Sequence, residues 1–510
     1  MQRISDLDYL KLNRFKRIGY KLGLFFCGIP RWFLNLFKKI GQLFKRLGIF
    51  IKDDVIDLIM TFKNGDWKTR LSYLIMGFGS MARGQWLRGL LFFFFEVIFI
   101  VYMVLWGGSW MSQLGTLGTE GPSEQWVEVN GVEVYTFAPN DDSFKILLYG
   151  ILSIVFIIGF IYTWRVNIKQ NRISEEIIKS GKKIKSNKDD LKSMIDDQFH
   201  KTLLALPTLG ILVFTVMPIL FMILIAFTNY DAQHNGRTNN LFTWVGLDNF
   251  NELLGWSSGG SNFSATFGEI LAWTLMWAFF ATFSNYFLGM LVAMMINKKG
   301  IKFKKVWRTI LVMTIAIPQF VSLLYVSQMF ANDGIVNGLL LDWGWITERI
   351  PFWTDPTLAR VMVIVINIWI GIPYLMLIAT GILMNIPEDL YESAKIDGAN
   401  AWQQYFKITL PYMLFVTGPY LLTSFIGNIN NFNVIYLLTA GGPTNPNATT
   451  AGGSAGYTDL LVTWLFKITT VDSNYKLAAV TGIMIFLVVA VISLIVYNVM
   501  PSTRNEEDFS

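Results

Sequence analysis

The stretch NIPEDLYESAKIDGANAWQQYFKITLP, residues 385–411, is a polar, charge-bearing island between two long apolar runs. It reads as helix, turn, helix. Pro387 suits a first helical position, and Glu388 and Asp389 fall in the first turn, where the helix dipole favours negative charge. Gly398 is the natural left-handed residue to end that helix, and a second short helix is expected to carry Trp402, Tyr405 and Phe406 towards Pro411. Leu390 and Ala394 stack at a spacing of four, with Tyr391 and Ile396 beside them and Glu392 and Asp397 flanking that face. Such a helix offers another protein a small apolar patch with a charged rim.

The flanking runs are long enough to cross a bilayer, and the whole chain is of the same kind. Of 510 residues, 53% are hydrophobic and 15% charged, with a mean hydropathy of +0.44, which makes the protein predominantly membrane-embedded. Spans of sufficient length lie at about 89–106, 146–164, 203–228, 270–296, 309–330, 361–384, 410–430 and 477–499, eight in all. The fold expected is an all-α integral membrane protein. Glu96 interrupts the first span and has to face protein or snorkel to the interface. Cys27 is the single cysteine, and the two histidines, His200 and His234, are far apart in sequence, so no metal site or disulfide framework is expected. No cleavable signal peptide is expected in the basic first 80 residues.

Charge sets the topology. Segment 107–144 holds six acidic residues and no Lys or Arg, whereas 165–202 holds ten Lys or Arg and 298–308 holds six. Cytoplasmic loops are enriched in Lys and Arg, so the first segment is expected outside, the other two inside, and both termini and the 385–411 island cytoplasmic. The chain divides accordingly into a basic amphipathic region 1–88, two spans over 89–164, a cytoplasmic linker 165–202, a six-span domain 203–499 and a tail 500–510. Within the first region Phe33, Leu36, Phe37, Ile40, Leu43, Phe44 and Leu47 share one helical face, opposite Lys38, Lys39, Gln42, Lys45 and Arg46. That pattern suits a helix lying on membrane lipids, or one packed on the protein's own underside. The glycine-rich run from Gly441 is expected to be an external loop, ordered or mobile.

Some span residues suit a polyhydroxylated ligand. Asn367, Gly371 and Tyr374 share one helical face, and Gly427, Asn428 and Asn431 nearly share another. Amides and a phenol beside a glycine gap can hydrogen-bond hydroxyl groups, and Trp369 or Tyr420 can stack on a sugar ring. Equally, small and amide residues pack membrane helices against each other.

Glu392, Ala394, Gly398, Ile408, Leu410 and Pro411 stand at the spacing E-A-A-x3-G-x9-I-x-L-P, with Ser393 in place of the first Ala. This resembles the EAA loop of ABC-importer membrane subunits. With WVGLDNF from Trp244, GILMNIPEDLYESA from Gly381, NNFNVIYLLTAGGP from Asn430 and GYTDLLVTW from Gly456, the chain from about Leu203 onward is similar to MalF-type permease subunits of maltose and maltodextrin importers, binding-protein-dependent inner membrane components. The resemblance implies a type I importer core in the last six spans and an ATPase-coupling loop at Glu392, Ser393, Ala394, Asp397, Gly398 and Ala399. It implies substrate contacts at Asn367, Gly371, Tyr374, Asn428 and Asn431, and at three positions that depart from the family's residue types: Ile315, Gln319 and Gly427. The pocket is therefore expected to be wider or differently polar, and maltose itself is not implied. Expected partners are a second, MalG-like permease subunit, two MalK-like ATPase subunits that bind the ATP and Mg, an external solute-binding protein, an oligosaccharide and membrane lipids, without nucleic acid. No G-x4-G-K-[ST] occurs in this chain, which is expected to be a transport subunit with no cofactor or catalytic residue of its own. The alternative is an ion-coupled secondary sugar transporter, which would need charged coupling groups at mid-membrane.

Overall fold

The computed structural model describes residues 14–121, 123–137, 140–236, 240–255, 263–298, 300–449 and 455–499. The expected tail 500–510, the first 13 residues and the centre of the glycine-rich loop lie outside them. The chain forms two compact units, one of Met1–Ser109 with Leu152–Ile211 and the other of Trp110–Ile151 with Leu212–Ser510.

The first unit begins with α1 (Arg14–Asn64) and includes most of α2, the span Trp86–Gln113, and the larger part of α3 (Ser143–Lys179). Between α1 and α2 the backbone over 71–82 is a run of turns with one helical turn at Phe78–Met81, and side chains satisfy groups that these leave over. Glu96 of α2 accepts the backbone N–H of Met76 at 2.8 Å, so the carboxylate in this span faces protein. Asn167 accepts the N–H of Gly77 at 3.0 Å and donates to Ser72 O at 3.0 Å, while Trp164 Nε1 donates to Tyr73 O at 2.9 Å. Below this segment the buried Arg83 guanidinium joins Asp66 at 2.6 Å and Asn171 at 2.9 Å.

In the second unit, segment 107–144 departs from the all-α expectation. Glu124–Val129 (β1) and Val132–Phe137 (β2) pair antiparallel, with Trp126 opposite Tyr135. The turn is Asn130-Gly131, both at positive φ, the dipeptide that two-residue hairpin loops favour. Span periodicity gives no weight to such a short extramembrane element.

The rest of this unit is helical: α4, the span Phe199–Ile225, whose part from Leu212 belongs here; α5 (Phe263–Asn297); α6 (Lys304–Ala316); α7 (Gln319–Met329); α8 (Pro356–Leu383); α9 (Glu388–Ile396); α10 (Leu410–Ile429); α11 (Phe432–Thr439); α12 (Leu461–Thr470); and α13 (Tyr475–Val499). α5 and α8 cross so closely that a Cβ on Gly289 would stand 2.6 Å from Leu375 Cβ, and one on Gly371 would stand 2.5 Å from Asn285 Nδ2. Small residues permit this approach in membranes. Residues 285 and 289 thus meet 371 and 375 in rising order, so α5 and α8 run parallel. α10 is antiparallel to α5: Trp277 Nε1 donates to Asn428 O at 3.0 Å, and the Tyr286 hydroxyl shares a hydrogen bond with Thr417 at 2.9 Å.

Seven described helices are long and apolar enough to cross alone, and they coincide with seven of the expected spans. The expected continuous span 309–330 is instead broken, with α6 and α7 meeting at 89°. Pro318 is the cause: it lacks an N–H and disfavours helical geometry at Ile317, whose ψ is 127°. The parallel course of α5 and α8 requires the chain between them to return across the bilayer. α6 and α7 together therefore make one crossing, and the described residues make eight.

Outside the spans, Asp231 ties the connection after α4 to the start of α13, accepting from Lys476 Nζ at 2.9 Å and meeting His234 Nδ1 at 3.0 Å. Burial alone would raise its pKa, but the Lys476 and His234 hydrogen bonds outweigh it and hold the carboxyl at about 2. The described part of the glycine-rich loop is ordered around buried Asp459, which accepts from the Gly456 N–H at 2.7 Å and Lys467 Nζ at 2.6 Å.

Two outcomes follow for the detergent-solubilised protein. Glu96→Ala leaves the buried Met76 N–H without an acceptor, a loss of about 1–3 kcal/mol seen as a lower melting temperature and faster proteolysis within 71–82, whereas Glu96→Gln keeps an acceptor and recovers most of it. Asp231 has its pKa depressed from 3.8 to about 2, so its contribution is complete above pH 3.8 and lost as pH falls through 2. Asp231→Asn should accordingly melt below the native chain at pH 7, with the gap narrowing only in that acid window.

Candidate functional site

The break at Pro318 opens a cavity. Irregular backbone at membrane depth is tolerated beside protein or a wet cleft, and here a space of about 610 Å³ is lined by the end of α6, the start of α7 and the middle of α8. Ile315, Gln319 and Ser322 line it from the broken helix, and Trp369 and Tyr374 from α8. All lining residues are uncharged. The Gln319 amide and the Tyr374 hydroxyl form no hydrogen bond among the described residues, and Trp369 and Tyr374 are both more than half exposed. The arrangement presents two aromatic faces and several polar tips to a neutral guest, the composition that small-molecule sites favour.

The residues singled out in the sequence fall into three places. Ile315, Gln319 and Tyr374 meet at this cavity. Asn367 and Gly371 do not line it; they pack against Asn285 of α5, whose Nδ2 donates to Ala281 O at 2.8 Å and reaches Asn367 O at 3.4 Å. Asn367 Nδ2 and Asn285 Oδ1 are buried without partners among the described residues. The third group is at the end of α10, where Asn428 Nδ2 donates to Thr282 Oγ1 at 2.9 Å and Asn431 Nδ2 reaches Asn428 Oδ1 at 3.4 Å. Asn431 does not continue the face of Gly427 and Asn428, because α10 ends at Ile429 and Asn431 caps α11, accepting the N–H of Val434 at 3.3 Å. Gly427 is exposed, with open space where a Cβ would stand. Asn285 and Thr282 were not picked out by the sequence reading, although an asparagine amid an apolar run of that length is itself a visible signal.

The island 385–411 forms its first helix and turn as expected. α9 spans Glu388–Ile396 with both acids in its first turn, and Gly398 has φ +76°. Pro387 caps the helix instead of opening it. The Ala399 N–H returns to Ala394 O at 2.8 Å, closing the turn, and Tyr391 OH meets Thr409 Oγ1 at 2.8 Å. Glu392, Ser393, Asp397 and Gly398 are exposed, as are Leu390 and Ile396, while Ala394 and Ala399 are half-buried. The expected second short helix is not separate: Ala401–Gln404, capped by Asn400, runs through a π-helical turn Tyr405–Thr409 into α10. Trp402 and Phe406 stack with ring centres 6.1 Å apart on its exposed side.

Comparison with known proteins bears on the chain as a whole. Residues 285–505 match the family model of binding-protein-dependent transport system inner membrane components. The maltodextrin transport system permease protein MalC of Streptococcus pneumoniae is 33% identical over 443 residues, covering 84% of this chain and 95% of that protein. The galactooligosaccharides transport system permease protein GanP of Bacillus subtilis is 33% identical over 444 residues, covering 85% of this chain and 97% of that protein. MalF of Escherichia coli is 35% identical over 253 residues, 47% of this chain and 48% of that protein. A solved chain of a bacterial ABC transporter involved in alginate import covers 62% of this chain and 99% of its own length, with 23% identity and a TM-score of 0.47. With 33% identity to MalC and GanP running the length of those permeases, the chain belongs to the family of binding-protein-dependent transport system inner membrane components and is a multi-pass membrane permease subunit, a transport component and not an enzyme.

Proposed function

We propose that this chain is the permease subunit of an ATP-driven importer that translocates a neutral oligosaccharide delivered by an external solute-binding protein. The observation that carries the reading is the uncharged, aromatic-lined cavity at the Pro318 break, in a chain whose relatives are named for maltodextrin and galactooligosaccharide transport. Sugars present flat C–H faces and ring hydroxyls; Trp369 and Tyr374 match the faces, and Gln319, Ser322 and the Tyr374 hydroxyl match the hydroxyls. Asn428 and Asn431 are assigned to a second stretch of the same sugar path, bordered by the open space at Gly427. Asn367 and Gly371 are assigned to shaping that path from behind, through Asn285.

α9 and the Gly398 turn are the proposed coupling element, with Glu392, Ser393, Ala394, Asp397, Gly398 and Ala399 meeting one of two MalK-like ATPase subunits. Their exposed, charge-rimmed apolar surface supports this reading. A MalG-like second permease would complete the cavity. ATP and Mg would be held by the ATPase pair, whose closure moves α9 and turns the cavity outward. Eight crossings would leave both ends of the spanning region on one side, and the Lys and Arg of 165–202 and 298–308 support the cytoplasm as that side.

In the reconstituted importer, Gly398→Val forces a branched side chain into a left-handed turn and should reduce sugar-stimulated ATP hydrolysis and uptake together, by roughly 5- to 150-fold for a coupling loss of a few kcal/mol. Native values for both would sink the coupling assignment, and uptake that persists without ATP would favour an ion-driven carrier. Tyr374→Phe and Gln319→Leu each remove about one net hydrogen bond to sugar, so each should lower uptake at limiting sugar by roughly 2- to 10-fold while leaving assembly with the partners intact. Unchanged uptake in both variants would move the sugar path elsewhere.

A further inference from the structure

We propose that residues 38–52 of α1 form an in-plane helix that binds the anionic lipid leaflet next to the spans. This inference does not depend on the transported sugar. From Arg14 to Lys52 the chain has ten Lys or Arg and no Asp or Glu. At 100° per residue, Leu43, Phe44, Leu47, Phe50 and Ile51 fall within one arc of the helix, Lys38, Lys45 and Lys52 fall opposite, and Lys39 and Arg46 flank its edge. The apolar members are 52% to 66% exposed, so the described residues leave most of this face uncovered.

What covers them is identified by where α1 is held. At Asp53 the charge pattern changes sign, and α1 is fastened to α3, Asp54 pairing with Arg165 and Asp57 with Arg172, while the Tyr73 hydroxyl of the segment after α1 donates to Leu58 O at 2.7 Å. Arg165 is the first charged residue after the apolar run 146–164 of α3, so it marks the level at which that span leaves the hydrocarbon. The Arg165 guanidinium also lies over the Phe50 ring, with 5.8 Å between its carbon and the ring centre. The amphipathic stretch is therefore tethered at the membrane surface, and 15 residues carry it about 22 Å along that surface. Charges every few positions prevent it from crossing. An anionic headgroup layer over hydrocarbon answers both faces at once: apolar side chains enter the acyl boundary, and each cation close to the headgroups strengthens attachment by about fivefold.

The test uses the full-length chain in vesicles, with Cys27→Ser and single cysteines carrying an environment-sensitive fluorophore at Phe44→Cys, Leu47→Cys and Ile51→Cys on one face and at Lys45→Cys and Lys52→Cys on the other. In vesicles of mixed phosphatidylcholine and phosphatidylglycerol, brominated acyl chains should quench the first three several-fold more than the last two, with aqueous iodide showing the reverse order. The contrast should shrink in phosphatidylcholine alone, and also when Lys38→Glu, Lys39→Glu and Arg46→Glu are combined with the Leu47→Cys label. Quenching that ignores the helix face, or the headgroup charge, would overturn the proposal. So would apolar-face labels shielded from both quenchers, because a protein would then occupy that surface.

Discussion

Every backbone N–H and C=O that enters the hydrocarbon must find a partner inside the protein, and this requirement organises the molecule. Most of the chain meets it with unbroken helices. Where it does not, side chains or a cavity take over. Over 71–82 the partners are Glu96, Asn167 and Trp164, which turn an apolar stretch too short to span into a packed element. At Pro318 the helix breaks and a cavity opens beside the break. The same proline that weakens a span thus opens the cavity to which the sugar path is assigned, with Gln319, Ser322 and Tyr374 among its lining residues.

The second constraint is close helix approach. Gly289 and Gly371, four residues from Asn285 and Leu375 respectively, let α5 and α8 pack parallel and in register. This pairing places the rear of α8 against Asn285 and leaves Trp369 and Tyr374 on its cavity side. α5 in turn ties the asparagines of the proposed sugar path to the scaffold, Asn367 of α8 through Asn285 and Asn428 of α10 through Thr282. Substitutions at these amides would therefore act on helix spacing as well as on any ligand.

A third theme is the boundary between membrane and water. The turn at Gly398, the ion pairs of Asp54 and Asp57 with α3, and Asp231 with Lys476 all lie near span ends. Charges there can be solvated or paired at little cost, so this is where the chain concentrates the contacts that fasten one helix to the next. α1 and α9 each present an exposed surface, one rich in cations and the other rimmed by carboxylates. Their different chemistry suits different partners.

Much of this was legible in the residues alone. Apolar run lengths located every span, because the bilayer sets the required length regardless of packing. The left-handed Gly398 and the helix before it follow from local propensity and capping, which need no tertiary context. The break within 309–330 was visible as Pro318 but not its 89° consequence, since a proline can kink, cap or sever a helix according to what packs beside it. The Asn130-Gly131 hairpin is written in a dipeptide that favours two-residue turns but carries no signal of span length. Only the tertiary structure separated Gln319 and Tyr374, which meet at a cavity, from Asn367 and Gly371, which face Asn285. Helical periodicity places residues on a common face; what that face meets depends on the crossing and register of a second helix far away in sequence.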